Sequence, residues 1–90
     1  MEIKELKYFV AVCKYKNISK TAKSLYISQQ ALSTSIKNLE KKLKTKLFRR
    51  THTGVELTND GMYLYQKVKL LLSEYDSICN DIYRFYASVS

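Results

Sequence analysis

Gln30, Thr34, Lys37 and Lys41 recur at steps of four, three and four residues. That is the spacing of one face of a helix. Leu32, Ile36, Leu39 and Leu43 follow the same steps, displaced by two positions. Two residues turn a helix by about 200°, so the two sets fall on opposite faces. One face is built for a core. The other offers amide, hydroxyl and ammonium groups, which donate and accept hydrogen bonds but assemble no nucleophile with a base. The single histidine, His52, has no catalytic partner in view, and the chain has neither a Gly-rich phosphate loop nor a cluster with metal-ligand spacing. We therefore expect no enzyme, no metal and no cofactor. The strip suits the edges of base pairs. A major groove presents donors and acceptors within reach of Gln, Ser, Thr and Lys, and Gln can pair with adenine through two hydrogen bonds.

Such a strip reads bases only if other elements hold it against the duplex. Ile3, Leu6, Val10 and Cys13, with Phe9 beside them, predict a helix over 3–16 that ends at Asn17. Ser19 is expected to cap a short second helix, with Ile18 behind the cap and Ala22 and Leu25 facing inward. Tyr26 and Ile27 make a turn. Ser28 caps a third helix that runs to about Lys44. In a helix–turn–helix the second of the paired helices presents its N-terminal residues to the bases. Here those are Gln29, Gln30, Ser33 and Thr34, with Lys37 continuing the strip. Ser28 and the helix N-terminus are placed to meet a phosphate. Next, "KLFRRTHTGVELT" sets Leu47, Phe48, Val55 and Leu57 around "THTG", which predicts a short hairpin with Gly54 in its turn. Thr58 caps a last helix from about Asn59 to Tyr86, with Asp60 in its first turn to meet the helix dipole. The expected fold is mainly α with a small β-hairpin: a winged helix–turn–helix over 1–58, then a long helix over 59–90.

Charge points to the same partner. Residues 1–50 hold 13 Lys/Arg against 3 Asp/Glu, a net of +10, and residues 51–90 hold 3 against 5, a net of −2. A basic excess segregated in this way points to a polyanion. Two cysteines, Cys13 and Cys79, are too few for a disulfide framework or a zinc site. No run of about 18 apolar residues is present to span a membrane. The N-terminus, "MEIKELKYFVAVCKYK", carries acids early and lacks a small-residue cleavage site, unlike a signal peptide. The expected location is the cytoplasm, away from membranes.

The last helix carries a second pattern. Leu64, Val68, Leu71, Tyr75, Ile78, Ile82 and Phe85 step by alternating four and three, a heptad seam that Leu72, Cys79 and Tyr86 widen. The first turns of that helix are expected to pack on their own domain, which is too small to cover the whole stripe, and an exposed stripe of that length invites association. A homodimer through antiparallel or crossed long helices is expected. Two recognition helices related by a two-fold axis would then read a pseudo-palindrome.

The segments "LKYFVAV", "ISKTAKSLYISQQALSTSIKNLEKKL" and "LFRRTHTGVELTNDG" resemble the N-terminal winged helix–turn–helix of the LysR-type transcriptional regulators, from about Met1 to Gly61. The resemblance implies a dimeric bacterial regulator of transcription whose third helix enters the major groove and whose wing touches the adjacent minor groove. It makes Gln29, Gln30, Ser33 and Thr34 base-contacting positions. It places Arg50, Thr51, His52 and Thr53 in the DNA-contacting wing and Lys20 at a backbone phosphate. The chain departs from the family pattern in carrying Gln30 where Pro is usual, and Thr34 and Thr53 where Arg is common. Arginine readout of guanine is lost at those two points, and A/T-biased specificity is expected. Lys44 stands where glycine usually closes the third helix. Family members also carry an effector-binding domain of about two hundred residues after the long helix, so the chain is expected to be a DNA-binding fragment with any small-molecule effector bound elsewhere. Two other readings compete. One is a protein-interaction module whose basic surface is incidental. The other is a small stand-alone winged-helix regulator of another family.

Overall fold

The structure, a computed structural model, describes residues 1–89. Its elements are α1 (Ile3–Tyr15), α2 (Ile18–Leu25), α3 (Gln29–Leu43), β1 (Phe48–Thr51), β2 (Gly54–Leu57) and α4 (Asn59–Val89). This is the winged helix–turn–helix with a long following helix that the residue pattern predicts. The apolar face of α3 becomes core: Leu32, Ile36 and Leu39 are buried against Leu6, Phe9 and Val12 of α1. Each such side chain contributes about 1.5–3 kcal/mol when fully buried. Phe9 lies at the centre, its ring 5.3 Å from that of Phe48. The wing is thereby packed into the core at its base.

The junctions between helices differ from expectation. Asn17 does not end α1. Lys16 does, in the left-handed conformation at φ 55°, and Asn17 caps α2 by accepting from the Lys20 N–H at 2.9 Å. Lys16 reverses the chain in one residue, so the next residue is already a cap and Ser19 is not needed for it. Tyr26 closes α2 at φ 58° and Lys44 closes α3 at φ 57°. All three are side chains in a region where glycine fits at lower cost.

The hairpin pairs β1 and β2 antiparallel, with Thr51 opposite Gly54, so His52 and Thr53 alone form the turn. Gly54, expected in that turn, is instead the first residue of β2. Its φ is 152°, and a Cβ there would stand 2.1 Å from the Lys16 carbonyl oxygen. The same carbonyl accepts from the Val55 N–H at 3.0 Å. The wing is thus held on the α1–α2 junction at a distance that leaves no room for a side chain.

The start of α4 is fixed to the loop after α3. The Thr58 hydroxyl accepts from the Gly61 N–H at 3.0 Å and donates to the Lys46 carbonyl at 2.7 Å. The Thr58 N–H donates to the Leu47 carbonyl at 3.0 Å, and the Thr45 hydroxyl donates to the Asp60 carboxylate. A Cβ on Gly61 would lie 2.1 Å from the Leu47 carbonyl oxygen.

Candidate nucleic-acid interface

The turn between α2 and α3 is three residues, Tyr26 to Ser28, and the Ile27 N–H donates to the Ala22 carbonyl at 3.1 Å. Ser28 caps α3 by accepting from the Ala31 N–H at 3.0 Å. Gln29, Gln30, Thr34, Lys37 and Lys41 are exposed, and Ser33 is half-buried. Gln29 also spans the motif: its amide donates to the Ser19 hydroxyl at 3.2 Å. That bond ties the first turn of α3 to α2. Lys20 is exposed at the start of α2.

The wing stands beside α3. Along β1 the side chains alternate, and cross-strand partners share a face. Arg49 and its partner Glu56 occupy one face and form an ion pair at 3.1 Å. Arg50 shares the other face with its partner Val55, which is buried. Between α3 and the wing lies a cleft of about 320 Å³, with Ser33 and Lys37 on the helix side, Arg50 on the wing side, and Ile36 and Val55 beneath. Thr51, His52 and Thr53 are exposed at the wing tip. The structure therefore brings Ser33, Lys37 and Arg50 together. Thr34 lines a separate depression toward α1 with Asn38 and Tyr8.

One residue that matters to this site lies outside the polar strip and the wing tip. Glu40 is buried, and its carboxylate accepts from the Leu47 N–H at 2.7 Å and the Phe48 N–H at 3.4 Å. The Lys46 ammonium lies 3.8 Å away. Glu40 joins the last turns of α3 to the start of the wing. A signal was present: Ile36, Leu39, Glu40 and Leu43 share one helix face, so the acid sits on the apolar side. Elsewhere, Lys42 binds Glu5 at 2.9 Å and holds its carboxyl below the usual range, helped by the Glu2 N–H. Burial pushes the Cys13 thiol up to about 12.

Along α4 the seam divides. Val68, assigned to the seam by spacing, is 3% exposed and fills the core of its own domain. Leu64 and Leu72 are half-buried against that core. The reason is drift: the first turns of α4 face α1, and the stripe leaves the domain only beyond them. Leu71, Ile78, Ile82 and Phe85 are 47%, 60%, 54% and 61% exposed. Tyr75 is exposed too, with the Lys7 ammonium 5.5 Å from its ring centre.

A family profile described as the bacterial regulatory helix-turn-helix protein of the lysR family matches residues 3–62. The chain belongs to the LysR family. Among LysR-type relatives, the HTH-type transcriptional regulator BudR of Klebsiella aerogenes is 44% identical over 77 residues, covering 86% of this chain and 54% of that protein. CitR of Bacillus subtilis is 36% identical over 84 residues, covering 93% of this chain and 29% of that regulator. The chain thus spans about half the length of the first relative and under a third of the second. Among solved structures, the BenM DNA-binding domain complexed with catB site 1 DNA superposes with a TM-score of 0.90 at 38% identity, covering 94% of this chain and 96% of that one. The CbnR DNA-binding domain–DNA complex gives 0.84 at 34% identity, covering 97% and 99%. Among the described residues, no group of three or more His, Cys, Asp or Glu is placed to hold a metal, and no helix is long and apolar enough to cross a membrane.

Proposed function

We propose that this chain binds double-stranded DNA sequence-specifically, as a homodimer, and serves as the DNA-reading head of a bacterial transcriptional regulator acting in the cytoplasm. One observation carries the reading: the outer face of α3 is an exposed row of Gln29, Gln30, Thr34 and Lys37, flanked by a basic wing. With its side chains a helix such as α3 is about 10–12 Å across, which suits a major groove about 12 Å wide. Gln29, Gln30, Ser33 and Thr34 approach base edges. Arg50, Thr51, His52 and Thr53 approach the neighbouring minor groove. Ser28 and Lys20 approach phosphates. Affinity comes chiefly from Lys/Arg–phosphate contacts and falls steeply with salt, while specificity comes from α3.

The exposed row from Leu71 to Phe85 is covered by the same row of a second copy. Pairing of this kind sets the distance between the two reading helices. Recognition of a small-molecule effector belongs to sequence outside these ninety residues, as the greater length of the relatives suggests. Selection from random duplex DNA at about 150 mM salt, where phosphate contacts are already weakened, tests the reading. Enrichment of a two-fold symmetric, A/T-rich site is expected. Binding without enrichment would make α3 a solvated face, and failure to bind any duplex at low salt would refute the function.

A further inference from the structure

We propose that Ser19 is a positioning residue for base readout: it holds the Gln29 amide by its nitrogen and so fixes the amide oxygen as the group offered to a base. The inference deepens the DNA-binding reading and rests on it. Gln29 opens α3, and Ser19 stands in the first turn of α2. The Gln29 Nε2 donates to the Ser19 Oγ at 3.2 Å. Two local features leave the Ser19 hydroxyl available for this. Asn17, not Ser19, caps α2. The hydroxyls of Thr21 and Ser24, deeper in the same helix, donate to the carbonyls of Asn17 and Thr21, four and three residues back. Ser19 is only the second residue of α2, so no carbonyl of that helix lies a turn behind it. Its hydroxyl meets α3 instead, and half-buried on a helix it is a firm anchor. Gln30, the exposed neighbour of Gln29, has no such tie among the described residues.

A glutamine amide has two ends: its carbonyl accepts and its NH2 donates. Free to turn over, it answers a donor or an acceptor on a base edge equally well. Tied by its nitrogen, it keeps an oxygen that no protein group among the described residues engages, with one N–H left beside it. In the major groove adenine offers a donor next to an acceptor, cytosine a donor, and guanine and thymine only acceptors. The tied amide therefore suits adenine best and cytosine next, and disfavours guanine and thymine. Without Ser19 the same glutamine would stay in place but lose its orientation.

The test compares the selected site with its three alternatives at the base pair that depends on Gln29. Fluorescence anisotropy follows binding by wild type, Ser19→Ala, Ser19→Thr, Gln29→Ala and the double variant Ser19→Ala with Gln29→Ala. Wild type should prefer adenine there over guanine or thymine by about 5- to 150-fold. Ser19→Ala should cut that preference by about 2- to 12-fold at that position alone. Ser19→Thr, which keeps the hydroxyl, should restore it. Once Gln29 is alanine, Ser19→Ala should change the preference no further. An unchanged preference in Ser19→Ala would overturn the positioning role, and so would an equal loss on every sequence. A preference for guanine or thymine at that base pair would overturn the polarity of the tie. A second measurement needs no DNA. In the free protein the Gln29 side-chain amide, followed by NMR, should exchange its hydrogens more slowly than that of Gln30, and Ser19→Ala should erase the difference; equal rates in the wild type would overturn the tie itself. If the wild type enriched no sequence while its amide remained tied, base reading by α3 would fall, and the role of Ser19 with it.

Discussion

Replacing Glu40 with alanine should cost more stability than its surface-like sequence context suggests. The carboxylate accepts the buried Leu47 N–H at 2.7 Å and, more weakly, the Phe48 N–H at 3.4 Å. Glu40→Ala removes an acceptor that is charged and strands a donor on a residue that is fully buried. A hydrogen bond to a charged group is worth about 1.5–3 kcal/mol, and an orphaned buried donor costs about 1–3 kcal/mol. These overlap, so about 3 kcal/mol is expected in all. For a domain of this size that lowers Tm by about 12–24 °C. Glu40→Gln keeps an oxygen acceptor and loses the charge, so about 1 kcal/mol is expected. Glu56→Ala is the control: its pair with Arg49 is exposed on both sides and is worth about 0–1 kcal/mol. Thermal unfolding followed by circular dichroism at one protein concentration measures all three. If Glu40→Ala and Glu56→Ala melted within about 2 °C of each other, the reasoning from buried acceptors would be wrong. Because Glu40 joins α3 to the wing, the same variant should also weaken DNA binding at temperatures where it remains folded.

Other variants probe other parts of the molecule. Lys44→Gly should stabilise by about 0.5–1 kcal/mol, because the position is left-handed and glycine adopts that conformation without a Cβ penalty; a lower Tm would contradict it. Cys13 has its thiol pushed from 9.0 up to about 12 by burial. A raised folded pKa leaves stability intact below the unfolded value and removes it as pH rises. Wild type should therefore lose about 1.4 kcal/mol per pH unit relative to Cys13→Ala between pH 9 and pH 12, and parallel alkaline denaturation curves would argue against a buried thiol. Gln29→Ala should cost about 1–3 kcal/mol at the selected site and little on unrelated DNA, whereas Arg50→Ala should weaken all sequences alike; uniform losses for both would remove base readout from α3. Leu71→Asp with Ile78→Asp should give a monomer by sedimentation, and a persisting dimer would rule out the seam.

The element order was legible because long-range packing agrees with local pattern. Leu32, Ile36 and Leu39 are spaced for a buried face and are buried. Thr58 looks like a cap and caps. The misreadings arise where one residue serves two neighbours. The side-chain pattern places Asn17 at the end of α1, yet Lys16 reverses the chain and Asn17 opens α2. No propensity marks a lysine for a left-handed turn. Gly54 carries the sequence signature of a turn, whereas the Lys16 carbonyl, distant in sequence, excludes a side chain there. Val68 fits a heptad and a core equally well, and periodicity cannot say which surface arrives first. Glu40 stands beside lysines in the sequence, as a solvated acid would, although its helical face is apolar. For the interface, the polar strip of α3 could be read from spacing. The cleft that joins Lys37 to Arg50 could not, since it depends on how the wing leans.

The bonds that fasten the first turn of α4 leave no elbow between the reading helix and the long helix. Thr58, Asp60 and Gly61 bind or press against residues 45–47, which directly follow α3. The unit therefore behaves as a lever with a fixed head. Its arm is the 31 residues of α4, about 46 Å long, so a 10° tilt about the fastened turn sweeps the far end through about 8 Å. Run in reverse, if two such arms crossed near Ile78, roughly 28 Å from the head, a change of about 7° in the crossing angle would shift the heads by roughly the 3.4 Å between successive base pairs. A signal arriving at the end of α4 would need no contact with the reading helix. It could change which spacing of half-sites fits by altering the crossing angle alone.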